Sequence, residues 1–171
     1  MTTKSETDRG SRTAGAMLDR EGAMVGTLNR LVALSSDLRS QLKQAHWNTV
    51  GPNFIALHHL FDEQAAIVLA HVDLYAERVR ALQGVAKGTV RAAAAESPLE
   101  EIGRGELWWH DAVASLLERF EQYNRTLTDG IREADEAEDL TTQDLLIEAQ
   151  REVDLQAYFL RSHLGESSST R

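Results

Sequence analysis

The feature that most constrains this chain is an unbroken stretch in its first half. From Asn53 to Gln83 there is no glycine or proline, and Leu57, Phe61, Val68, His71, Tyr75 and Leu82 recur at helical intervals. Gly51-Pro52 breaks the chain just before it, and Gly84 is placed to end it. The same period recurs from about Asp19 to Asn48, through Met24, Leu28, Leu31, Leu38, Leu42 and Ala45, with Asp19 as the expected N-cap. A third stripe, Val113, Leu117, Phe120, Leu127 and Ile131, predicts a helix from about Glu106 to Ala134. After the acidic turn Asp135–Asp139, a fourth runs from about Thr141 to Leu164, striped by Leu145, Ala149, Val153, Ala157, Leu160 and Leu164 and stopped by Gly165.

The connection Val85–Gly105 is long for two antiparallel neighbours. Its alanine run Ala92–Ala95 and the start signal Ser97-Pro98-Leu99-Glu100-Glu101 predict a short helix inside it. The expected fold is therefore all-α: a four-helix bundle of ferritin-like type, with one long crossover carrying a short extra helix. The domain would span residues 19–165, between a flexible N-terminal arm (1–18) and a short polar tail (166–171). The arm is rich in Ser, Thr, Gly and charge.

Composition narrows the function classes. The 171 residues hold no cysteine, so thiolate sites and disulfides are excluded, and a reducing, cytoplasmic setting suits the chain. No apolar run approaches the ~20 residues of a membrane span, and Met1–Gly15 lacks the apolar stretch of a signal peptide. A net charge of −9 argues against nucleic acid as the main partner of the folded body and suits a protein that attracts cations.

The chemistry-bearing residues lie on the second helix. His58 and Asp62 stand at i and i+4, as do Asp73 and Glu77. At 100° per residue all four fall within an arc of about 100°, one stripe of potential ligands. Asp62 and Asp73 are nevertheless roughly 16 Å apart along the axis, whereas metal–ligand bonds are only ~2.0–2.6 Å long. One chain cannot close both pairs on one ion. An antiparallel two-fold mate, packed helix against helix near Val68, sets His58 and Asp62 of one chain opposite Asp73 and Glu77 of the other. Two equivalent sites about 22 Å apart result. The donor set is oxygen-rich with some imidazole, which suits iron or manganese; zinc also fits by ligand type. Taken singly, either pair is most simply a solvated helix face. Both on one stripe, with His46 and Trp47 closing the preceding helix, favour ligation.

Lys43-Gln44-Ala45-His46-Trp47-Asn48, Gly51, Phe54, Leu57-His58, Phe61-Asp62-Glu63, Asp73 and Ala76-Glu77-Arg78 closely resemble the signature of the Dps family of mini-ferritins. The resemblance in layout covers roughly Asp19–Gly165. It implies a ferroxidase centre ligated by His46, His58 and Asp62 of one subunit and by Asp73 and Glu77 of its two-fold mate. It also implies a hollow shell of twelve subunits that oxidises Fe2+, preferably with hydrogen peroxide, and stores the ferric mineral. Trp47 matches the aromatic beside that centre, either an electron donor that quenches radicals or simply a packed core residue. Asp139, Asp144 and Glu148 resemble the carboxylates lining the family's three-fold pore, through which iron enters, though such a charge run also reads as solvated surface.

Among the remaining histidines, His59 sits at the edge of the ligand arc and His71 lies well off it, expected in the core or an interface. His110 and His163 stand alone, and Trp108-Trp109 reads as packing at a helix start or subunit contact. Two rival functions remain. Some Dps relatives compact DNA through basic arms, but here Lys4, Arg9, Arg12 and Arg20 face Glu6, Asp8 and Asp19, four charges against three. DNA binding is therefore expected to be weak or absent. An intra-chain di-iron protein of the larger ferritin type needs Glu-x-x-His pairs, and no Glu in this chain has His three residues later.

Overall fold

The computed structural model describes residues 4–165, with side chains from residue 22 onward. Five helices and one minimal sheet follow in the order α1 (Lys4–Asn48), β1 (Thr49–Val50), α2 (Phe54–Ala81), α3 (Val90–Glu96), β2 (Leu107–Trp108), α4 (Trp109–Glu136) and α5 (Leu140–Leu164). α1 packs along α2 and α4 along α5, and α3 leans on α1 from the crossover. This is the ferritin-like bundle expected. The predicted stripes face its core: Leu28, Leu31, Leu38 and Leu42 meet Leu57, Phe61 and Val68, with Val113, Phe120, Leu127, Val153 and Leu160 closing the other side, all fully buried. Each such side chain removed from water is worth about 1.5–3 kcal/mol, so these stripes rather than local propensity hold the helices together. Among the described residues no helix is long and apolar enough to cross a membrane.

Several boundaries differ from expectation. Helical backbone in α1 begins at Lys4, not at Asp19; no proline lies in that stretch to stop it. The side chains of the expected arm, residues 1–18, and all of the tail 166–171 lie outside the described residues. α4 starts at Trp109 rather than Glu106 because residues 107 and 108 are extended and pair in parallel with β1, Thr49 opposite Leu107 and Val50 opposite Trp108. This clasp ties the end of α1 to the start of α4. Gly51 beside it has φ 122°, and a Cβ there would stand 2.7 Å from Trp109 Cδ1, so only glycine fits.

The alanine run forms α3, capped by Thr89, whose hydroxyl accepts from Ala92 N at 3.2 Å. The signal at Ser97 starts no helix. Its hydroxyl instead donates to Asp37 (2.6 Å) and accepts from Leu99 N (3.2 Å), stitching the crossover to α1. Asn29 does the same further up, donating to Val85 O and accepting from Lys87 N.

Gly84 ends α2 as expected, but not by supplying the left-handed residue. Gln83 does that, at φ 62°. Gln83 N donates to Arg80 O and Gly84 N to Val79 O, the paired bonds of a Schellman turn. Gly84 is needed for space: a Cβ would lie 2.6 Å from the Val25 side chain. α4 ends the same way, with Glu138 at φ 58°. Gly165 ends α5 in the left-handed region, as its sequence position predicts.

Candidate metal centre

His46 closes the last full turn of α1 and His58 opens α2, so the Gly51-Pro52 break folds one onto the other. Their rings stack at 3.7 Å between centroids, 21° from parallel. His46 Nδ1 lies 2.7 Å from the backbone oxygen of His58, and His58 Nδ1 lies 2.9 Å from the backbone oxygen of His46. A carbonyl oxygen only accepts, so both Nδ1 atoms carry the proton and donate. The tautomers are thereby fixed, and each neutral ring keeps its Nε2 lone pair for a ligand. His46 is buried and His58 half-buried.

Asp62 lies one turn beyond His58 on α2, with its side chain 55% exposed and paired with Lys43 from α1. The hydrogen bond from Lys43, with its positive charge, holds the Asp62 carboxyl below its usual range. The Lys43 ammonium also sits 5.7 Å from the centre of the Trp47 ring. Trp47 itself is 66% exposed, so within one chain it is not a core residue. His59 is exposed and edge-on to His58 at 5.8 Å, outside the stacked pair.

Asp73 and Glu77 are exposed on α2 and have no hydrogen-bond or ion-pair partner among the described residues. Within one chain, no three His, Cys, Asp or Glu of the described residues come together to hold an ion. The geometry thus brings His46, His58 and Asp62 to one end of the stripe and leaves Asp73 and Glu77 at the other. Val68, near the expected two-fold axis, is fully buried in its own core. The face presented outward at that level is instead Ala66, Leu69 and Ala70, small or apolar and exposed.

The acidic turn divides. Asp139 caps α5, accepting from Thr142 N at 3.0 Å, and binds Arg78 of α2 at 2.8 Å. Burial pushes its carboxyl upward, but the Thr142 hydrogen bonds and Arg78 outweigh it, and the group is held below its usual range. Asp144 and Glu148, one turn apart on α5, are exposed. Two parts of the site were not assigned a role from sequence: Lys43 as the partner of Asp62, and Arg78 as the tie from the ligand helix to Asp139. Both occupy positions in the motif block, and only the packing of α1 and α5 against α2 reveals what they hold.

His71 is buried, as expected off the ligand stripe, but it is not isolated. It joins Tyr123, Tyr75 and Glu152 in a hydrogen-bonded chain across α2, α4 and α5. Trp109 packs against the core, while Trp108 stays half exposed and His110 exposed.

Known proteins share this fold. The ferritin-like domain family matches residues 25–169. The DNA protection during starvation protein of Agrobacterium fabrum (strain C58) is 36% identical over 148 residues, covering 86% of this chain and 91% of the relative. Among solved structures, DpsA14 from Streptomyces coelicolor superposes with a TM-score of 0.83 at 34% identity, covering 89% of each chain. A Dps from Microbacterium arborescens, solved in a high iron form, superposes at 0.81 with 33% identity, covering 86% of this chain and 95% of that one. With the stacked histidines, the carboxylate stripe and the one-crossover bundle already in place, the chain belongs to the ferritin-like family and, within it, to the Dps proteins.

Proposed function

We propose that this protein oxidises and stores iron at centres shared between two-fold-related subunits. His46, His58 and Asp62 of one chain bind Fe2+ together with Asp73 and Glu77 of its mate. The observation that carries this reading is the reciprocal Nδ1 bonding of His46 and His58, which leaves two Nε2 lone pairs beside an ionised carboxylate. Carboxylates stabilise the ferric product, and imidazole adds affinity for the ferrous substrate. Two ferrous ions give one electron each to hydrogen peroxide, which with two protons becomes two waters, so no hydroxyl radical is released. Trp47, exposed beside the Lys43–Asp62 pair, donates an electron when the count falls short.

One relative supports a role with iron: the M. arborescens Dps was solved in a high iron form. The exposed Ala66, Leu69 and Ala70 face supplies a surface for the two-fold contact. A dodecameric shell is the assembly proposed, in a cytoplasmic setting, with Asp144 and Glu148 steering iron inward. DNA protection, the role in the name of the A. fabrum relative, is the second reading. We place DNA binding as weak at physiological salt, because twelve chains of −9 carry about −108 against the phosphate backbone.

Stopped-flow oxidation of Fe2+ with hydrogen peroxide or dioxygen, on metal-free protein, tests the centre. Asp62→Ala/Glu77→Ala should abolish the rapid phase and leave the oligomer's mass unchanged. Wild-type kinetics in that double variant would remove these residues from the site.

A further inference from the structure

The ferroxidase reading leaves one buried cluster unused. Tyr75 and Tyr123 are fully buried and His71 is 3% exposed, three polar side chains inside the apolar bundle. Tyr75 Oη lies 2.7 Å from Tyr123 Oη, Tyr123 Oη lies 3.0 Å from His71 Nδ1, and His71 Nε2 lies 2.7 Å from Glu152 Oε2. The Glu152 side chain is 54% exposed. The chain therefore begins in the core and ends at solvent.

Its direction follows from what each group can do. The Glu152 carboxylate only accepts, so His71 donates through Nε2–H and, as a neutral ring, offers the Nδ1 lone pair. Tyr123 must then donate its hydroxyl proton to Nδ1, and Tyr75 donates in turn to the Tyr123 oxygen. Every member is satisfied, and each bond polarises the next. Burial keeps the Tyr123 phenol well above its ordinary pKa, so it meets an oxidant with its proton still on.

This arrangement solves the problem of oxidising a buried phenol. Removing one electron from tyrosine makes its hydroxyl strongly acidic, and in an apolar core the proton needs an acceptor already in place. We propose that Tyr123 is a one-electron donor site, with His71 as its proton acceptor, Glu152 as the counter-charge and Tyr75 as the donor that steadies the product. In the step, a one-electron oxidant of the hydroxyl-radical class takes one electron and becomes hydroxide. Tyr123 becomes a neutral phenoxyl radical, and its proton moves to His71 Nδ1. The imidazolium so formed is neutralised by Glu152. An electron from ferrous iron, which becomes ferric, returns the phenol as the proton runs back.

Tyr75 shares two turns of α2 with Asp73 and Glu77 but points to the opposite side, into the core. An oxidant arising at those carboxylates would thus form about one helix width, ~10–12 Å, from the pair. That origin rests on the proposed ferroxidase function, whereas the donor chemistry of Tyr123 does not.

The test therefore uses no iron. The chain has three tyrosines, and Tyr158 is exposed, so Tyr158→Phe leaves Tyr75 and Tyr123 as the sources of any tyrosyl signal. Metal-free protein is oxidised by a photo-excited ruthenium trisbipyridine–persulfate system and frozen for electron paramagnetic resonance. A tyrosyl spectrum is expected in Tyr158→Phe and its loss in Tyr123→Phe/Tyr158→Phe, a change of one hydroxyl whose fold is checked by circular dichroism. In the Tyr158→Phe background, radical formation should slow in D2O, and His71→Gln should lose the signal with Tyr123 still present. If His71→Gln fails to fold, the isotope effect decides proton transfer alone. A tyrosyl signal that survives Tyr123→Phe/Tyr158→Phe, a spectrum of tryptophan only, or the absence of a solvent isotope effect would each overturn the proposal. A positive result alongside slow iron oxidation would fault the ferroxidase reading and leave this one standing.

Discussion

Neither ring of the His46–His58 pair can turn without giving up a hydrogen bond to the other residue's backbone. That reciprocity makes the pair rigid on its own, so little ordering would remain to be done on binding a ligand. A different constraint acts at Gln83, which holds a left-handed backbone without being glycine. A side chain in that region costs about 1–2 kcal/mol, partly offset because glycine is more flexible when unfolded. Gln83→Gly should therefore stabilise the chain by about 0.5–1 kcal/mol in urea unfolding. Gly84→Ala, whose Cβ would press on Val25 at 2.6 Å, should destabilise it by about 1–3 kcal/mol, as overpacking does. The reverse order would mean that Gly84, not Gln83, carries the backbone requirement of this turn.

The turn between α4 and α5 is where an acidic run resolves into different roles. Asp139 is a cap and an ion-pair partner, while Asp144 and Glu148 lie exposed on α5. Asp139→Ala should cost about 1–2 kcal/mol of stability at neutral pH. Because the folded state holds this carboxyl below its unfolded pKa of about 3.9, its contribution is complete above that value. It fades as pH falls through the folded pKa, so wild type and variant should converge in acid; a gap unchanged down to pH ~2 would place the effect elsewhere. Asp144→Asn/Glu148→Gln should instead leave stability alone and slow iron uptake at low Fe2+, with the difference shrinking as salt rises. Uptake equal to wild type at every ionic strength would return these two to ordinary surface. The elements were largely legible in the sequence because apolar periodicity and rare glycines govern where helices lie and end. What was not legible depended on contacts far along the chain. Glu106 to Trp108 read as helix, yet pairing with Thr49 and Val50 holds Leu107 and Trp108 extended. Ser97 read as a helix start, yet Asp37 of α1 engages its hydroxyl. The stripe of candidate ligands was visible from α2 alone, whereas the Lys43–Asp62 and Arg78–Asp139 pairs needed α1 and α5 to be packed against it.

For the whole molecule, the decisive quantity is the distance between the two halves of the ligand stripe. Roughly 16 Å of helix separates Asp62 from Asp73, too far for one ion, so the centre proposed above would draw on two chains. The outward face midway between them, Ala66, Leu69 and Ala70, is exposed and apolar, and its two alanines would let the proposed α2–α2 contact be close. This makes a prediction that no single-chain site shares. A homogeneous Asp62→Ala assembly lacks a ligand at every centre, and so does a homogeneous Glu77→Ala assembly. In a mixed two-fold dimer, one centre draws Asp62→Ala from one chain and Glu77→Ala from the other and carries both losses. The second centre draws its Asp62 and Glu77 from the chains that still have them and is intact. Random pairing makes half of all dimers mixed, and each mixed dimer restores one of its two centres. Co-assembled protein should therefore regain about one quarter of wild-type rapid Fe2+ oxidation, where the parents separately have none. Mixing the folded parents without subunit exchange should restore nothing, which separates pairing from simple addition of residual activities. A co-assembled sample as inactive as its parents, with mixed dimers verified by mass, would require each centre to be built within one chain.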